Sequence, residues 1–371
     1  MKAKFSTKDL SFGIGTIVEL VGDGKIIQAY RNVLITAEES GRVELFGTDI
    51  EVLGSVVLNA EVTEGGEYAV PCKELHDWLS GKESAESVSV ENIGEGKLKF
   101  KAGKSQLTLM AMSAAEYGAR RGFGEYAEVL TVSGTEFKSK LKSTVVACAD
   151  DTRAELSCVY VDFERGAIVG ADGVRLALAG GYKMETKGML IPRNSVKKIS
   201  KVMGEGDVVL RRQESNGVIE YVVGEIKVTV GFVFLNGEYV AYWNITDSAS
   251  ESELMAKAPR AKWLSLMGSV KALQSDKAWP MRIESDGEDV TITNKDSMDS
   301  VGNVLEALDG GESFGKFRTY MNLGYTEEGV KVLKDGEIEL RRFVLGRAKM
   351  WLFTDGDTKY MVAPFDEPDA F

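Results

Sequence analysis

Few residues in this chain could do covalent or metal chemistry, and their spacing speaks against most of it. The single histidine, His76, is the only imidazole available as a base, and it falls in an amphipathic helical stretch. Cys72, Cys148 and Cys158 are far apart, make no CxxC and are odd in number, so they read as reduced core thiols rather than metal ligands or a disulfide framework. Acidic clusters at Asp150-Asp151 and at Asp355 with Asp357 could hold a metal for DNA hydrolysis. They sit in turn-like sequence without the converging partners that a two-metal site requires, so this enzymatic alternative ranks last. No catalytic residue, metal or cofactor is expected.

The cations are a second class with a chemical use. Lys and Arg total 45 against 57 Asp and Glu, a net charge of −12, which looks wrong for a nucleic-acid binder. Net charge does not say where the basic residues sit, however. In the helix that follows Pro192, a turn of about 100° per residue puts Val196, Ile199, Val202 and Met203 on one side. Arg193, Lys197, Lys198 and Lys201 fall on the other, with no acid among them. Other predicted helices add Lys138 and Lys142, then Arg260, Lys262, Lys271, Lys331 and Lys334, the last group diluted by Glu327 and Glu328. A solvated face is the bland explanation for any one helix. Its recurrence in an acidic chain points to nonspecific phosphate contact.

The elements that must carry these residues repeat. A length of 371 residues suggests two or three domains. No apolar run approaches the roughly 18 residues that span a bilayer, and no apolar signal core follows Met1-Lys2-Ala3-Lys4, so a soluble intracellular protein is expected. Periodicity predicts a helix over 8–21, strands over 33–37, 43–46, 48–52, 55–61 and 65–71, a helix over 72–79, and strands over 97–102 and 106–112. After a Gly/Arg-rich joint at 118–124 the order restarts: a helix over 135–149, strands over 157–163, 167–171 and 188–192, and the basic helix. An acidic, Ser-rich joint at 247–253 precedes a third round, with helices over 259–274 and 327–333 and strands over 281–285, 290–294 and 317–322. The later copies close in hairpins over 221–235 and 337–353, the last with 360–364. Turns at Asp49 and Asp172 are 123 residues apart, and Pro71 and Pro192 are 121 apart. In the second turn, Asp172 and Gly173 supply a side-chain acceptor and a left-handed backbone, and Arg175 reads as the surface arginine of a hairpin. Each copy is α+β, sheet-rich with two helices on one face.

Three stretches, in order and at this spacing, resemble the bacterial DNA sliding clamp, the β subunit of DNA polymerase III. They are Phe46-Gly47-Thr48-Asp49-Ile50-Glu51, then Ala171-Asp172-Gly173-Val174-Arg175-Leu176-Ala177 with Pro192, and the ending Tyr360-Met361-Val362-Ala363-Pro364-Phe365. The resemblance covers essentially the whole chain. It implies three clamp domains, 1–124, 125–250 and 251–371, the last with a C-terminal acidic tail, forming a crescent that dimerises head to tail into a ring. It implies a processivity factor without enzyme activity that encircles duplex DNA independently of sequence. Its partners would be a DNA polymerase, a clamp loader and a second copy of itself, with no membrane. The location would be the cytoplasm at the nucleoid or replisome, or the host cytoplasm for a phage-borne member. The alternative is a clamp-like binding or decoy protein that does not close.

Carried over position by position, the partner-peptide pocket would include Leu156, Ala171, Gly173, Val174, Arg175, Leu176, Val240, Asn244 and Ile245. Met361, Val362, Ala363, Pro364 and Phe365 would complete it, with Arg175 as a cationic rim residue. Val174 stands where the family commonly has His, Val240 where it has Pro, Asn244 where it has Arg, and Ala363 where it has Met. The chain also runs on past the usual end through Asp366, Glu367, Pro368, Asp369, Ala370 and Phe371. These departures suit a phage-borne or otherwise divergent clamp. Lys25 matches a basic DNA-contact loop residue, whereas Asp150 replaces a neutral one and is expected to weaken that contact. The ring interface would involve Leu107, Leu109, Ala272 and Leu273.

Overall fold

The computed structural model describes residues 1–118, 123–150, 153–273, 280–294, 305–308 and 310–365. Gln274, Asp151, part of the 118–124 joint and the 366–371 tail lie outside the described residues.

One topology recurs three times. The first copy runs β1 (Lys2–Ser6), α1 (Thr7–Val18), β2 (Asn32–Ala37), β3 (Arg42–Thr48), β4 (Val52–Asn59), β5 (Glu61–Glu64), β6 (Gly66–Pro71), α2 (Cys72–Leu79), β7 (Ser87–Asn92), β8 (Lys97–Ala102) and β9 (Ser105–Met110). A short connector, β10 (Met112–Ser113) with α3 (Ala114–Tyr117), leads to the second copy. That copy is β11 (Ala127–Ser133), α4 (Gly134–Val145), β12 (Cys158–Asp162), β13 (Ala167–Ala171), β14 (Arg175–Gly180), β15 (Met189–Pro192), α5 (Arg193–Val202), β16 (Asp207–Gln213), β17 (Asn216–Val223) and β18 (Ile226–Val233). After α6 (Trp243–Ser250), the third copy runs β19 (Glu253–Pro259), α7 (Arg260–Leu273), β20 (Pro280–Asp286), β21 (Val290–Asn294), β22 (Leu305–Ala307), β23 (Glu312–Ser313), β24 (Lys316–Asn322), α8 (Leu323–Val332), β25 (Glu337–Leu345), β26 (Ala348–Thr354) and β27 (Thr358–Val362).

The strand pairing repeats with the order. In every copy the opening strand pairs antiparallel with the strand after the second helix: β1 with β7, β11 with β16, β19 with β25. The strand after the first helix pairs with the strand before the second: β2 with β6, β12 with β15, β20 with β24. Copies join by one rule, in which the third long strand after the first helix of one copy pairs with the last strand of the next: β4 with β18, and β14 with β27. Two nine-stranded sheets result, β10-β6-β2-β3-β4-β18-β17-β16-β11 and β15-β12-β13-β14-β27-β26-β25-β19-β23. Smaller sheets, β5-β1-β7-β8-β9 and β22-β21-β20-β24, end on β9 and β22.

By contacts the chain gathers into two compact units, Met1–Lys138 with Asn194–Phe234, and Ser139–Arg193 with Leu235–Phe371. Each contains one nine-stranded and one smaller sheet. In the first, Leu10, Ile14 and Ile17 of α1 are fully buried, as their helical spacing predicts, and Ser6 caps the helix by accepting from Asp9 N–H. In the second, Trp263 of α7 meets Phe353 edge to face at 5.6 Å. There α8 approaches β27 so closely that a Cβ on Gly329 would lie 2.2 Å from the Tyr360 ring. All three cysteines are free and buried, and burial pushes the Cys72 and Cys148 thiols up to about 12 and Cys158 to about 11.

Three expectations are corrected. Residues 48–52 are not one strand but the end of β3, a turn over 49–51 and the start of β4: Asp49 Oδ1 accepts from Val52 N–H at 2.8 Å and Thr48 Oγ1 from Ile50 N–H at 3.0 Å, and Ile50 takes φ 89°. Local side-chain acceptors override the β propensity of Ile50 there. Much of the 247–253 joint is helical: α6 runs to Ser250 and buries Ala249, and the hydroxyls of Thr246, Ser248 and Ser250 are accommodated by bonding back to its carbonyls. α8 starts at Leu323, four residues before the expected start, where Asn322 Oδ1 caps Tyr325 N–H.

Candidate partner groove and basic surfaces

The turn between β13 and β14 follows from its sequence. Asp172 Oδ1 accepts from Val174 and Arg175 N–H, both at 3.0 Å, and Gly173 takes φ 96°. Arg175 is not the exposed rim cation that the sequence suggests: it is 7% exposed. Its Nε donates to Asp172 Oδ2 at 2.8 Å, and its Nη1 to Glu328 Oε2 at 2.7 Å and Tyr360 Oη at 3.4 Å. The guanidinium lies 4.0 Å from the Tyr325 ring centroid. A cation buried this deeply requires partners, and three of these four come from α8 and β27, far along the chain.

Around this turn, Leu156, Ala171, Leu176 and Met361 are buried in one apolar cluster, against which Val240 and Ile245 pack partly exposed. Val174 is 47% exposed, and Gly173 and Asn244 lie at the surface beside it in sequence and on α6. Val362 is not among them. Neighbours on a strand point to opposite faces, so Met361 joins this cluster while Val362 packs with Ala147, Ala177 and Tyr360. Ala363, Pro364 and Phe365 instead line a cavity of about 990 Å³ together with parts of β20, β24 and the β25–β26 hairpin.

Met350 belongs both to the cavity lining and to the cluster margin, so this side chain borders groove and cavity alike. Sequence reasoning missed Met350, Trp351 and Trp243. The continuous apolar run from Met350 to Phe353 marks β26 as a strand buried on both faces, but nothing local says what either face meets. Trp243 belongs to a support for the groove wall: Tyr242 Oη donates to the buried Asp162 at 2.7 Å, and Arg165 covers the Trp243 ring at 4.0 Å.

The basic helix has the predicted amphipathicity, with Val196, Ile199, Val202 and Met203 all buried. Its cationic face, however, meets acids from other elements. In the first unit Lys198 lies 2.6 Å from Asp49, Lys201 2.7 Å from Glu19 and Lys25 2.7 Å from Asp23, while Lys138 donates to Met203 O at 3.4 Å. In the second, Arg193 pairs with Asp150, Arg260 with Asp335 and Lys334 with Asp357. Glu327 takes both Lys271 and Lys331. Lys197, Lys142 and Lys262 are exposed, and the last two have no ion pair among the described residues. Asp355 is occupied in a turn, accepting from the N–H groups of Lys334, Asp357 and Thr358. Of the carboxylates considered for a metal site, Asp150, Asp355 and Asp357 are therefore spent on cations and turns.

Of the residues expected at a ring interface, Leu109 is buried and Leu107 half-buried on β9, while Ala272 is exposed and Leu273 half-buried at the end of α7. Among the described residues β9 and β22 are each the last strand of their sheet, and each carries an exposed apolar side chain, Met110 at 64% and Leu305 at 65%.

No family model matches the chain. It is similar to the beta sliding clamp of Rickettsia bellii, 21% identical over 358 residues and 92% of each chain, and to that of Escherichia coli K12, 22% over 310 residues and 82% of each. Among solved structures, a putative DNA polymerase III beta subunit from Eubacterium rectale superposes with a TM-score of 0.83 at 16% identity, over 99% of this chain and 100% of that one. The sliding clamp of Bacillus subtilis gives 0.81 at 16%, over 99% of each, and one from Bartonella birtlesii, solved bound to griselimycin, gives 0.82 at 18%, over 99% and 100%. The chain carries the sliding-clamp fold over nearly its whole length and is similar in sequence, at 21–22% identity, to bacterial beta sliding clamps.

Proposed function

We propose that this chain is a DNA sliding clamp, a processivity factor that encircles duplex DNA without reading its sequence and tethers a polymerase. The observation that carries this is the joining rule of the sheets. Two joints inside the chain pair a copy's third long strand with the next copy's last strand, and the same rule leaves two strands over, β22 and β9. A second chain supplies the missing partner for each, head to tail, and two such joints close a ring. Leu107, Leu109, Ala272 and Leu273 flank that joint on this reading, and the copies correspond to domains 1–124, 125–250 and 251–371.

Helices bearing Lys25, Lys138, Lys142, Arg193, Lys197, Lys198, Lys201, Arg260, Lys262, Lys331 and Lys334 on or beside them would then face the duplex and contact phosphates only. The groove at Leu176, Val240, Ile245 and Met361, together with the cavity at Pro364 and Phe365, would take a short apolar motif from a polymerase or loader. No step calls for catalysis.

Light scattering over a dilution series tests the ring. The expected mass at micromolar concentration is twice 40.4 kDa, with retention on circular DNA and loss when the circle is cut. A monomer at every concentration, never held on a circle by any loader, would instead favour a decoy that folds as a clamp without closing.

A further inference from the structure

The cavity in the second unit has an asymmetry of charge that the clamp reading does not use. Its floor is apolar and aromatic, with Phe317, Tyr320 and Trp351. Five cations line it, Lys316, Arg318, Arg342, Arg347 and Lys349, against three acids, Glu284, Asp286 and Asp289. Two of those acids are engaged: Glu284 pairs with Arg282 and Arg318, and Asp286 Oδ1 accepts from Glu288 and Asp289 N–H. Among the cations, Arg318 is taken by Glu284 and Arg342 by Glu253 at 2.7 Å, whereas Arg347 and Lys349 are exposed with no ion pair among the described residues. This is a cationic pocket in a chain of net charge −12.

Phe365 is itself a cavity wall, held by its N–H on Tyr320 O at 2.9 Å. The residues that follow it are Asp366, Glu367, Pro368, Asp369, Ala370 and Phe371, which offer three acids, an aromatic ring and no cation. Six residues reach about 20 Å when extended, enough to cross a cavity of this size. Tethering at its wall gives the segment an effective concentration of about a millimolar, so even weak complementarity would fill the site.

We propose that residues 366–371 dock back into this cavity, their carboxylates on Arg347 and Lys349 and Phe371 on the aromatic floor. The tail is then an intramolecular competitor that a partner peptide must displace. The competitor role rests on the clamp reading; the occupancy does not.

The test uses a labelled peptide of sequence FDEPDAF and two full-length chains, one native and one with 366–371 replaced by Gly and Ser. Fluorescence polarisation at low salt should show binding to the replaced chain about tenfold tighter than to the native one. Arg347→Ala with Lys349→Ala in the replaced chain should weaken it again, and added salt should do the same. Equal affinity for the native and replaced chains, or no binding to the replaced chain while its light-scattering mass is unchanged, would overturn the proposal. Either result leaves the clamp reading standing, since that is decided by retention on circular DNA.

Discussion

Arg175 shows what a single residue can hide. Its Asp172 partner is three positions away and could be read locally, whereas Glu328 and Tyr360 lie 153 and 185 positions further on and could not. The Arg175–Asp172 pair is nearly excluded from solvent, with side chains 6% and 10% exposed. Arg175→Ala is therefore expected to destabilise the fold by about 3 kcal/mol in urea unfolding, because it strands a buried carboxylate as well as removing an ion pair. Lys at this position should recover only part, since an ammonium cannot bond Asp172, Glu328 and Tyr360 in one plane. The cysteines give a second test at this scale. Their thiols are raised by burial, so iodoacetamide at pH 8 should label none of the three in the native chain and all three in guanidinium. Because these pKa values are higher folded than unfolded, the thiols contribute stability below the unfolded value near 8.5. That stability is lost as pH rises toward 11 to 12, so the melting temperature should fall over that interval.

At the scale of elements, the chain's periodicity revealed the strands whose two faces differ and the helices whose apolar residues recur every three or four positions. β8, with its strict alternation, and α2, opened by Pro71, appear where expected. What stayed hidden were segments set by contacts with distant strands, such as β1, β7 and α6, the last packed against β25. The groove was half legible for the same reason: the residues of one turn and one strand could be placed, but not the β25–β26 hairpin that extends the site. Gly329→Ala should destabilise by about 1 to 3 kcal/mol, since its Cβ meets the buried Tyr360 ring and α8 must shift off β27. The two end strands make a sharper forecast. Leu305→Asp on β22 or Met110→Asp at the end of β9 would place an unpaired charge at the proposed strand joint while leaving the monomer's core intact. Each should move the light-scattering mass toward 40.4 kDa at concentrations where the native chain is dimeric, and circular dichroism should be unchanged.

For the whole molecule, the proposed clamp function raises the question of how a chain with twelve excess negative charges would surround a polyanion. The ion pairs on the basic helices suggest that it does so by carrying its own counterions. A lysine that leaves bulk solvent for a phosphate releases condensed ions from DNA, giving a salt slope of about 0.9 per contact. A lysine that must leave a carboxylate frees that acid to take up a cation, so the net release falls toward zero. Lys198 on Asp49 and Lys201 on Glu19 are such pairs. The hold on DNA should then be weak and only mildly salt-dependent, which favours sliding over sticking once the ring is closed. Asp49→Asn keeps the Oδ1 acceptor for Val52 N–H and removes only the charge, and Glu19→Gln does the same at the end of α1. The double variant should bind a short linear duplex more tightly and steepen the logarithmic salt slope by about 2. An unchanged slope with unchanged affinity would mean that these lysines do not face the duplex at all.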